Sequence, residues 1–503
     1  MPIMVVNGAG VLRYNNSSQM TGEKIPGDLR TWDYFGTDPN ELLTYTYNVL
    51  SERATTLYHT HPPVNAAVNK TTHYAIGPGL VFRSQPDWQV LGIDQEYAKE
   101  WGMRFQKLIH YVFTLLNYYE KQNVLFRTSM VMGDSLLLFD RVSQDDGMPF
   151  DLIETGGDAI NFEQNITSKN EPATLGILHD NYLRKKGFYQ VGKAKPVMFK
   201  DNNGDCNAIQ FFEKKIARQL RGYPLSYSII AAAKNNDRLW DAVIQRAVME
   251  TIILGTTESD SDDLYKQADA LADNARSETR ESGSTMQTEG KASELGAGNI
   301  FSFKKGGLKF TDLKTPSNNF DKMQAAFIEY VGMAMDIPAE VITSKYSTSY
   351  TAHKGALNDF IKSYMFKRKM FINTVNKVVV KEIAKYLFME NLIEMPNNQF
   401  FTNPIIQEAT IAGNWLGPVP GHVNPLQEVN AKVEEVKNAF KTRADAAADY
   451  GNEYDNMIEE WIEQETRFRE ISPVDQAQVI NDDIEEQEDN QDQEDDDNET
   501  DNN

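Results

Sequence analysis

The stretch NNFDKMQAAFIEYVGMAMDIP, residues 318–338, predicts an amphipathic helix that ends abruptly. Apolar side chains at intervals of three and four residues fall on one helix face, and here they are Phe320, Met323, Phe327, Val331 and Ala334. Pro338 ends the helix, because proline lacks a backbone donor and disfavours helical geometry in the residue before it. A polar loop, TSKYSTSY at 343–350, separates this helix from the next.

The next helix is predicted from about residue 352 to about residue 392, because no proline interrupts it. It would be roughly 60 Å long at about 1.5 Å per residue. Between residues 351 and 385 it carries eight Lys or Arg against two acidic residues, whereas the whole chain has a net charge of -23. Two interpretations stay open: a long solvated helix, or a helix close to nucleic acid, where lysines displace counterions from phosphates.

Composition limits the class of protein. A chain of 503 residues suggests about three domains. Thirteen Asp or Glu and no Lys or Arg lie between residues 481 and 503, so we expect disorder after about residue 475. Cys206 is the only cysteine, which excludes an intramolecular disulfide and favours a reducing compartment. No secretory signal and no long apolar window are present, so we expect a cytosolic protein without a membrane span.

The first two hundred residues mix helices with short strands. After an N-terminal arm at 1–29, the predicted elements are a helix from residue 39 to a break at 61–63, a second helix, a strand at 80–82, a helix at 94–132, a strand at 135–141, and short strands over 150–212 with a hairpin turn at 201–205. One helix face is rich in large apolar residues and is expected in the core: Trp101, Phe105, Ile109, Phe113 and Leu116. The fold class is therefore α+β and mainly helical.

A second long helix is expected at 226–254, with Ser226 as the N-cap and Gly255 as the C-cap. A polar insertion follows, with a weak helix at 264–275 and two strands, 300–303 and 308–310, joined by a glycine turn. Residues 400–411 and 414–418 are expected to be loop or strand, and 424–470 mainly helical.

None of four catalytic or metal-binding patterns favours an enzyme. No G-x-x-x-x-G-K-[ST] loop occurs, which argues against an ATP-driven motor, and no nucleophile elbow occurs. His59, His61 and His73 could surround a metal but are expected to be ordinary surface histidines. The acidic run at 258–263 resembles a nuclease metal site, but its serine spacing favours a solvated loop. We predict no cofactor, no metal and no catalytic residue.

Several motifs together resemble the lambda-type portal proteins of tailed bacteriophages. In chain order they are QLRGYPLS at 219–226, GMAMDIPAEVI at 332–342, SYTAHK at 349–354, NWLGP at 414–418, HVNPLQEVNA at 422–431, FKTR at 440–443 and YGNEYD at 450–455. The sequence departs from the family pattern at three positions. Asn424 replaces the usual Asp, Gln427 the usual Lys, and Lys354 the usual Arg.

The resemblance implies a ring, usually of twelve subunits, with the portal fold. Carried onto this chain, it predicts a wing at 30–225, a stem of two helices at 226–254 and 319–336, a clip at 255–318, a tunnel-loop region at 337–350, a long wing helix at 351–392, a crown at 393–474 and a tail at 475–503. The residues it places facing DNA are Ser344, Lys345, Tyr346, Ser347, Thr348, Ser349, Tyr350 and Lys354. Lys304, Lys305 and Lys309 would bind partners at the clip.

A portal of this kind would carry double-stranded DNA through one capsid vertex during packaging, retention and ejection. The implied partners are further copies of the chain, the terminase large subunit, the head-tail adaptor, and the capsid and scaffolding proteins. The protein would lie in the virion, and in the host cytoplasm during assembly. Two other interpretations stay open from the residues: a non-viral helical scaffold or adaptor with an acidic tail, and a metal-dependent nuclease.

Overall fold

A computed structural model describes residues 4–6, 12–14, 38–141, 150–166, 172–259, 299–304, 320–346, 350–418, 425–448 and 454–471. The chain divides into two compact units, Met1–Trp415 and Leu416–Asn503. The predicted weak helix at 264–275, the strand at 308–310 and the acidic tail lie outside the described residues. In the expected N-terminal arm, Met4–Val6 and Leu12–Tyr14 form an antiparallel pair.

The first unit is built from helices around small sheets. Its helices are α1 (Pro39–Thr60), α2 (Pro62–Ala75), α3 (Trp88–Leu91), α4 (Gln95–Leu115), α5 (Tyr118–Met132), α6 (Ile230–Ile252), α7 (Phe320–Met335), α8 (Ala339–Thr343), α9 (Tyr350–Phe371), α10 (Lys377–Met389) and α11 (Pro404–Thr410). Its strands are β1 (Met4–Val6), β2 (Leu12–Tyr14), β3 (Val81–Ser84), β4 (Ser135–Asp140), β5 (Asp151–Gly156), β6 (Ala173–Thr174), β7 (Ile177–His179), β8 (Lys185–Phe188), β9 (Val197–Met198), β10 (Ala208–Phe211), β11 (Ile253–Ser259), β12 (Asn299–Lys304) and β13 (Gly413–Leu416).

The amphipathic helix predicted within residues 318–338 is α7, and it ends where predicted. Asp336 adopts a left-handed φ of 55°, and the Ile337 N–H donates to the carbonyl of Gly332 at 3.0 Å. This pattern closes a helix C-terminus. Of the predicted apolar face, Val331 is buried whereas Met323 is exposed.

The predicted long helix is present and runs without a break from α9 through α10. A π-helical segment, Ile372–Asn376, joins the two, with helical backbone angles on either side. Such segments accommodate an extra residue in a helix, and they frequently occur at functional positions. The Asn376 side chain is buried and accepts from the Tyr118 hydroxyl at 2.8 Å, so the segment is held against α5.

The core of the first unit lies between the long helix, α4, α5 and the three-stranded sheet. All five residues of the predicted α4 face are buried: Trp101, Phe105, Ile109, Phe113 and Leu116. Phe371 packs edge-on against Phe126 and Phe211, at centroid distances of 5.7 and 4.9 Å. Such aromatic pairs add stability beyond the area they bury. The long helix is therefore an integral part of this core.

The sheets are small and mostly antiparallel. β4 lies between β10 and β5, and β6 to β9 form a four-stranded sheet in sequence order. The predicted turn at 201–205 is present, with the Asp201 N–H donating to the Asp205 carbonyl at 2.9 Å. β11 and β12 pair in parallel, and the connection between them, 260–298, is long enough for the crossover that a parallel pair needs.

Three predicted element boundaries were wrong. The helix expected at 94–132 is two helices, because Asn117 adopts a left-handed φ of 51°. The helix expected from Ser226 begins at Ile230, since the turn before it is held by a bond from the Leu225 N–H to the Met130 carbonyl at 2.7 Å. Gly255 is not a helix cap but lies in β11.

A further helix, α11, occupies part of the 400–411 stretch that was expected to be loop or strand. The Asn403 side chain accepts from the Ile405 N–H at 2.9 Å, and Pro404 stands in the first turn. Asparagine before proline is a recognised helix start. The prediction of loop or strand for residues 404–410 was therefore wrong, although the sequence carries the signal for a helix start. The adjacent 414–418 segment contains β13, as expected.

The QLRG motif, 219–222, fixes the chain just before α6. Arg221 is fully buried and donates to both carboxylate oxygens of Asp134. Its guanidinium also lies 4.0 Å from the centre of the Tyr47 ring. Burial opposes this charge, but Asp134 and Tyr47 outweigh it and raise the pKa of Arg221 above its ordinary value. The charge is thus retained and paired inside the unit.

The glycine of this motif is required by a close backbone approach. A Cβ atom added to Gly222 would lie 1.8 Å from the carbonyl oxygen of Gly133. Gly133 itself has a φ of 104°, a value that favours glycine. The two glycines therefore let the end of α5 and the segment leading to α6 touch.

The second unit is helical, as expected for 424–470. Its helices are α12 (Pro425–Lys437), α13 (Arg443–Ala448) and α14 (Tyr454–Ile471). Among the side chains described in this unit, only that of Ala447 is buried.

Candidate nucleic-acid interface

The candidate DNA-facing loop starts at the end of the short helix α8. Ser344 closes that helix with a left-handed φ of 55°, and the Lys345 N–H donates to the Thr343 hydroxyl at 3.3 Å. Residues 347–349 lie outside the described residues, and α9 begins at Tyr350. The structure therefore describes the base of the loop on both sides.

Lys70 holds the first side of the loop base. This α2 residue donates from Nζ to the Val341 carbonyl and to the Ser344 hydroxyl. Burial lowers the pKa of Lys70. No sequence pattern pointed to this lysine, because it lies 274 positions from Ser344.

A second contact holds the other side of the base, through His353 on α9. Its Nδ1 lies 3.0 Å from Oε2 of Glu340, and its ring meets Tyr346 edge-on at a centroid distance of 4.4 Å. Tyr346 nevertheless remains 57% exposed. The loop base thus contacts α2, α8 and α9, while an aromatic ring stays available at its surface.

The predicted DNA-facing residues differ in their surroundings. Ser344, Lys345 and Tyr346 are exposed and adjacent at the loop base. Lys354 is half-buried on α9. Ser347, Thr348 and Ser349 lie outside the described residues, as does the side chain of Tyr350. Whether these residues meet DNA stays a prediction.

The predicted clip lysines are only partly described. Lys304 ends strand β12, although its side chain is outside the described set. Lys305 and Lys309 lie wholly outside it. Their role in binding partners therefore also stays a prediction.

Three basic residues of the long helix are buried and contact other parts of the chain instead of solvent. Arg368 donates to the carbonyls of Ala75 and Tyr74, each at 2.7 Å. Lys367 lies 3.6 Å from Asp336. Lys385 is paired with the buried Glu382 at 2.8 Å. The positive charge counted along this helix is thus not one continuous surface.

The sequence offered two metal-binding patterns, the three histidines and the acidic run at 258–263, and the structure describes them to different extents. His59 and His73 are exposed, whereas His61 is 4% exposed, so the expectation of a surface position was wrong for His61. Its Nε2 lies 3.8 Å from Asp237 on α6. Residues 260–263 of the acidic run lie outside the described set. Within the described ranges, no three His, Cys, Asp or Glu side chains are grouped to hold a metal ion.

Nor does the described part of the chain contain a helix long and apolar enough to cross a membrane.

Similarity to known proteins defines the class of this protein. The sequence model for "Phage portal protein, lambda family" matches residues 26–368. The chain therefore belongs to the lambda family of phage portal proteins. Its relatives include the portal protein of Escherichia phage N15, 20% identical over 500 residues with 89% of each chain covered. Portal protein B of Escherichia phage lambda is 19% identical over 489 residues, with 88% of each chain covered.

Family membership confirms the resemblance drawn from the motifs and the role as a portal component of the phage capsid. The α+β, mainly helical fold class is also confirmed. The family is structural rather than catalytic, which fits the expectation of a non-enzyme.

Proposed function

We propose that copies of this chain form the ring-shaped channel at one capsid vertex, through which double-stranded DNA is packaged, retained and ejected. The ring binds DNA without sequence preference. It docks the terminase large subunit during packaging and the head-tail adaptor afterwards, and it contacts capsid and scaffolding proteins. Membership of the portal family supports this assignment.

In this proposal the two stem helices are α6 and α7, and the paired strands β11 and β12 form the root of the clip. The two helices are in contact: Trp240 meets Phe320 edge-on at 5.0 Å, and Gln324 donates to Asn236 at 3.0 Å. The wing comprises 30–225 with the long helix, and the crown comprises 393–474.

Exposed apolar residues along both stem helices support a ring. On α6 they recur every four residues, and the set on both helices comprises Trp240, Ile244, Val248, Met323, Tyr330 and Met333. Apolar surfaces of this kind mark protein interaction sites. In a closed ring one surface of each copy contacts a second, different surface of its neighbour, so the exposed stripe would be covered in every subunit.

The observation that carries the DNA-channel assignment is the loop base at 343–346. It is anchored by Lys70 and His353, yet Lys345 and Tyr346 stay exposed. An anchored base can present hydroxyls and one ammonium group at a fixed position. Each neutralised phosphate adds affinity, so a single lysine in a run of Ser, Thr and Tyr contacts DNA while allowing it to slide.

The first test is assembly. Purified full-length protein imaged by negative-stain microscopy is expected to show closed rings. A monodisperse monomer at micromolar concentration under all salt conditions would contradict the proposal.

The second test addresses the loop. Lys345→Ala is expected to form rings but to change DNA packaging or retention. Lys193→Ala is the matched control, since Lys193 is also exposed but lies in a turn of the four-stranded sheet region. Normal packaging in rings of the Lys345→Ala variant would remove the loop assignment and leave the ring intact.

A further inference from the structure

The last helix, α14 (Tyr454–Ile471), has a seven-residue repeat that the portal assignment does not explain. Aromatic residues stand at positions 454, 461 and 468, and Met457, Gln464 and Ile471 follow each of them by three residues. This is the first-and-fourth pattern of helices that pack along one another.

Most of the repeating side chains that the structure describes are exposed. Trp461 and Phe468 are each 64% exposed, and Met457 is 40% exposed. On the opposite side, Glu463 and Arg467 form an exposed pair at 2.6 Å. The helix thus has a solvated polar face and an apolar face on which Met457, Trp461 and Phe468 are exposed.

The charge of α14 disfavours two kinds of partner, and its period favours a third. It contains six acidic residues and two arginines, whereas helices that bind membrane surfaces are rich in Lys and Arg. The same acidity disfavours nucleic acid. The heptad period favours another helix of the same period. In the proposed ring, every further copy of the chain supplies such a helix, its own α14.

We propose that α14 helices of neighbouring subunits pack side by side through the face formed by Tyr454, Met457, Trp461, Gln464 and Phe468. This contact rests on the proposed ring. The helix is only 18 residues long, which is short of the three to four heptads typical of an independent coiled coil. Tethering in the ring raises the effective concentration of the helices, so the contact forms on assembly.

The test uses pyrene fluorescence on full-length rings. Met457→Cys places a label on the apolar face, and Thr466→Cys places one on the polar face of the same helix. Cys206 is a buried free cysteine. Any background labelling at Cys206 is measured with the parent protein, which has no other cysteine. Pyrene excimer emission is expected from rings labelled at 457 and not from rings labelled at 466.

Three outcomes would overturn the contact. Rings without excimer emission at 457 would exclude it, as would equal excimer emission at both positions. Shielded pyrene monomer emission at 457 would show that the helix packs on its own chain or on a different partner. Failure to form rings would instead overturn the proposed ring, and the contact with it.

A second variant separates the contact from ring formation. Trp461→Glu combined with Phe468→Glu, in the Met457→Cys background, is expected to abolish excimer emission while microscopy still shows rings. Glu463→Gln, on the polar face, is the control and is expected to retain the excimer. Excimer emission unaffected by the double substitution would contradict the proposal.

Discussion

Arg221 and Asp134 form a buried ion pair in which the guanidinium contacts both carboxylate oxygens. The Tyr47 hydroxyl and the Gln210 amide donate to the same carboxylate. Arg221 also donates to the carbonyls of Gly157 and Leu175. One side chain therefore ties the segment before α6 to α1, to the start of β4 and to two loops.

Replacing Arg221 with Gln is expected to destabilise the first unit by about 3–5 kcal/mol, because it leaves the Asp134 carboxylate buried without its partner charge. The midpoint of thermal or urea unfolding measures this loss. Arg184→Gln removes an exposed pair with Asp180 and should leave the midpoint unchanged. Equal effects of the two substitutions would contradict a special role for the buried pair.

Two glycine substitutions should have opposite effects. Gly222→Ala is expected to destabilise the protein, because the new Cβ would overlap the Gly133 carbonyl. Gly355→Ala should stabilise it by about 0.5–1 kcal/mol, since alanine favours helix and nothing lies within 4 Å of that position. Unfolding midpoints of the two variants check both signs. A neutral Gly222→Ala would show that the two backbones can separate.

Lys70→Ala is expected to loosen the loop base without unfolding the first unit. Both bonds from Nζ, to Val341 and Ser344, would be lost. Hydrogen exchange of amides at 341–346 should become faster, while that of α4 stays unchanged. Lys193→Ala is the control. Unchanged exchange at 341–346 would mean that other contacts suffice to hold the base.

His61 should make stability depend on pH. Burial lowers its pKa, and the nearby Asp237 carboxylate opposes this only in part. A lowered folded-state pKa means that the unfolded chain binds a proton first. The contribution is fully present above the unfolded pKa of about 6.5 and is lost as the pH falls through the folded value.

The His61→Gln variant measures that contribution. Its unfolding midpoint should fall less than that of the parent protein between about pH 7.5 and 5, since glutamine does not titrate in the range where histidine does. His59→Gln, at an exposed histidine, is the control and should follow the parent protein. Parallel curves for all three proteins would contradict the role of His61.

Cys206 is expected to be unreactive in the folded protein. Burial raises the pKa of its thiol to about 12, and the thiolate is the reactive form. A thiol reagent at pH 8 should therefore label the chain only after denaturation. Rapid labelling under native conditions would show that the core around Cys206 opens.

Much of the local structure was predictable from sequence. The α7 helix and its end, the long helix and the α4 core face were all expected, because periodicity and proline act through residues close in the chain. The α11 start at Asn403-Pro404 belongs to the same class of signal. The break at Asn117 does not, since only backbone conformation makes it visible. The ordered motifs also identified the family, although the physical reason for the QLRG glycine was not apparent.

The sequence by itself determined most of the helical segments, the end of α7 before Pro338, and the family to which the chain belongs. Tertiary structure alone decided that Arg221 pairs with Asp134, that Gly222 must approach Gly133, that Lys70 supports Ser344, and that Lys367, Arg368 and Lys385 are buried. The physical reason is that helical periodicity depends on neighbours within a few residues, whereas ion pairs and backbone contacts depend on how distant segments pack. A lysine has the same letter in the sequence whether it faces solvent, a carboxylate or DNA.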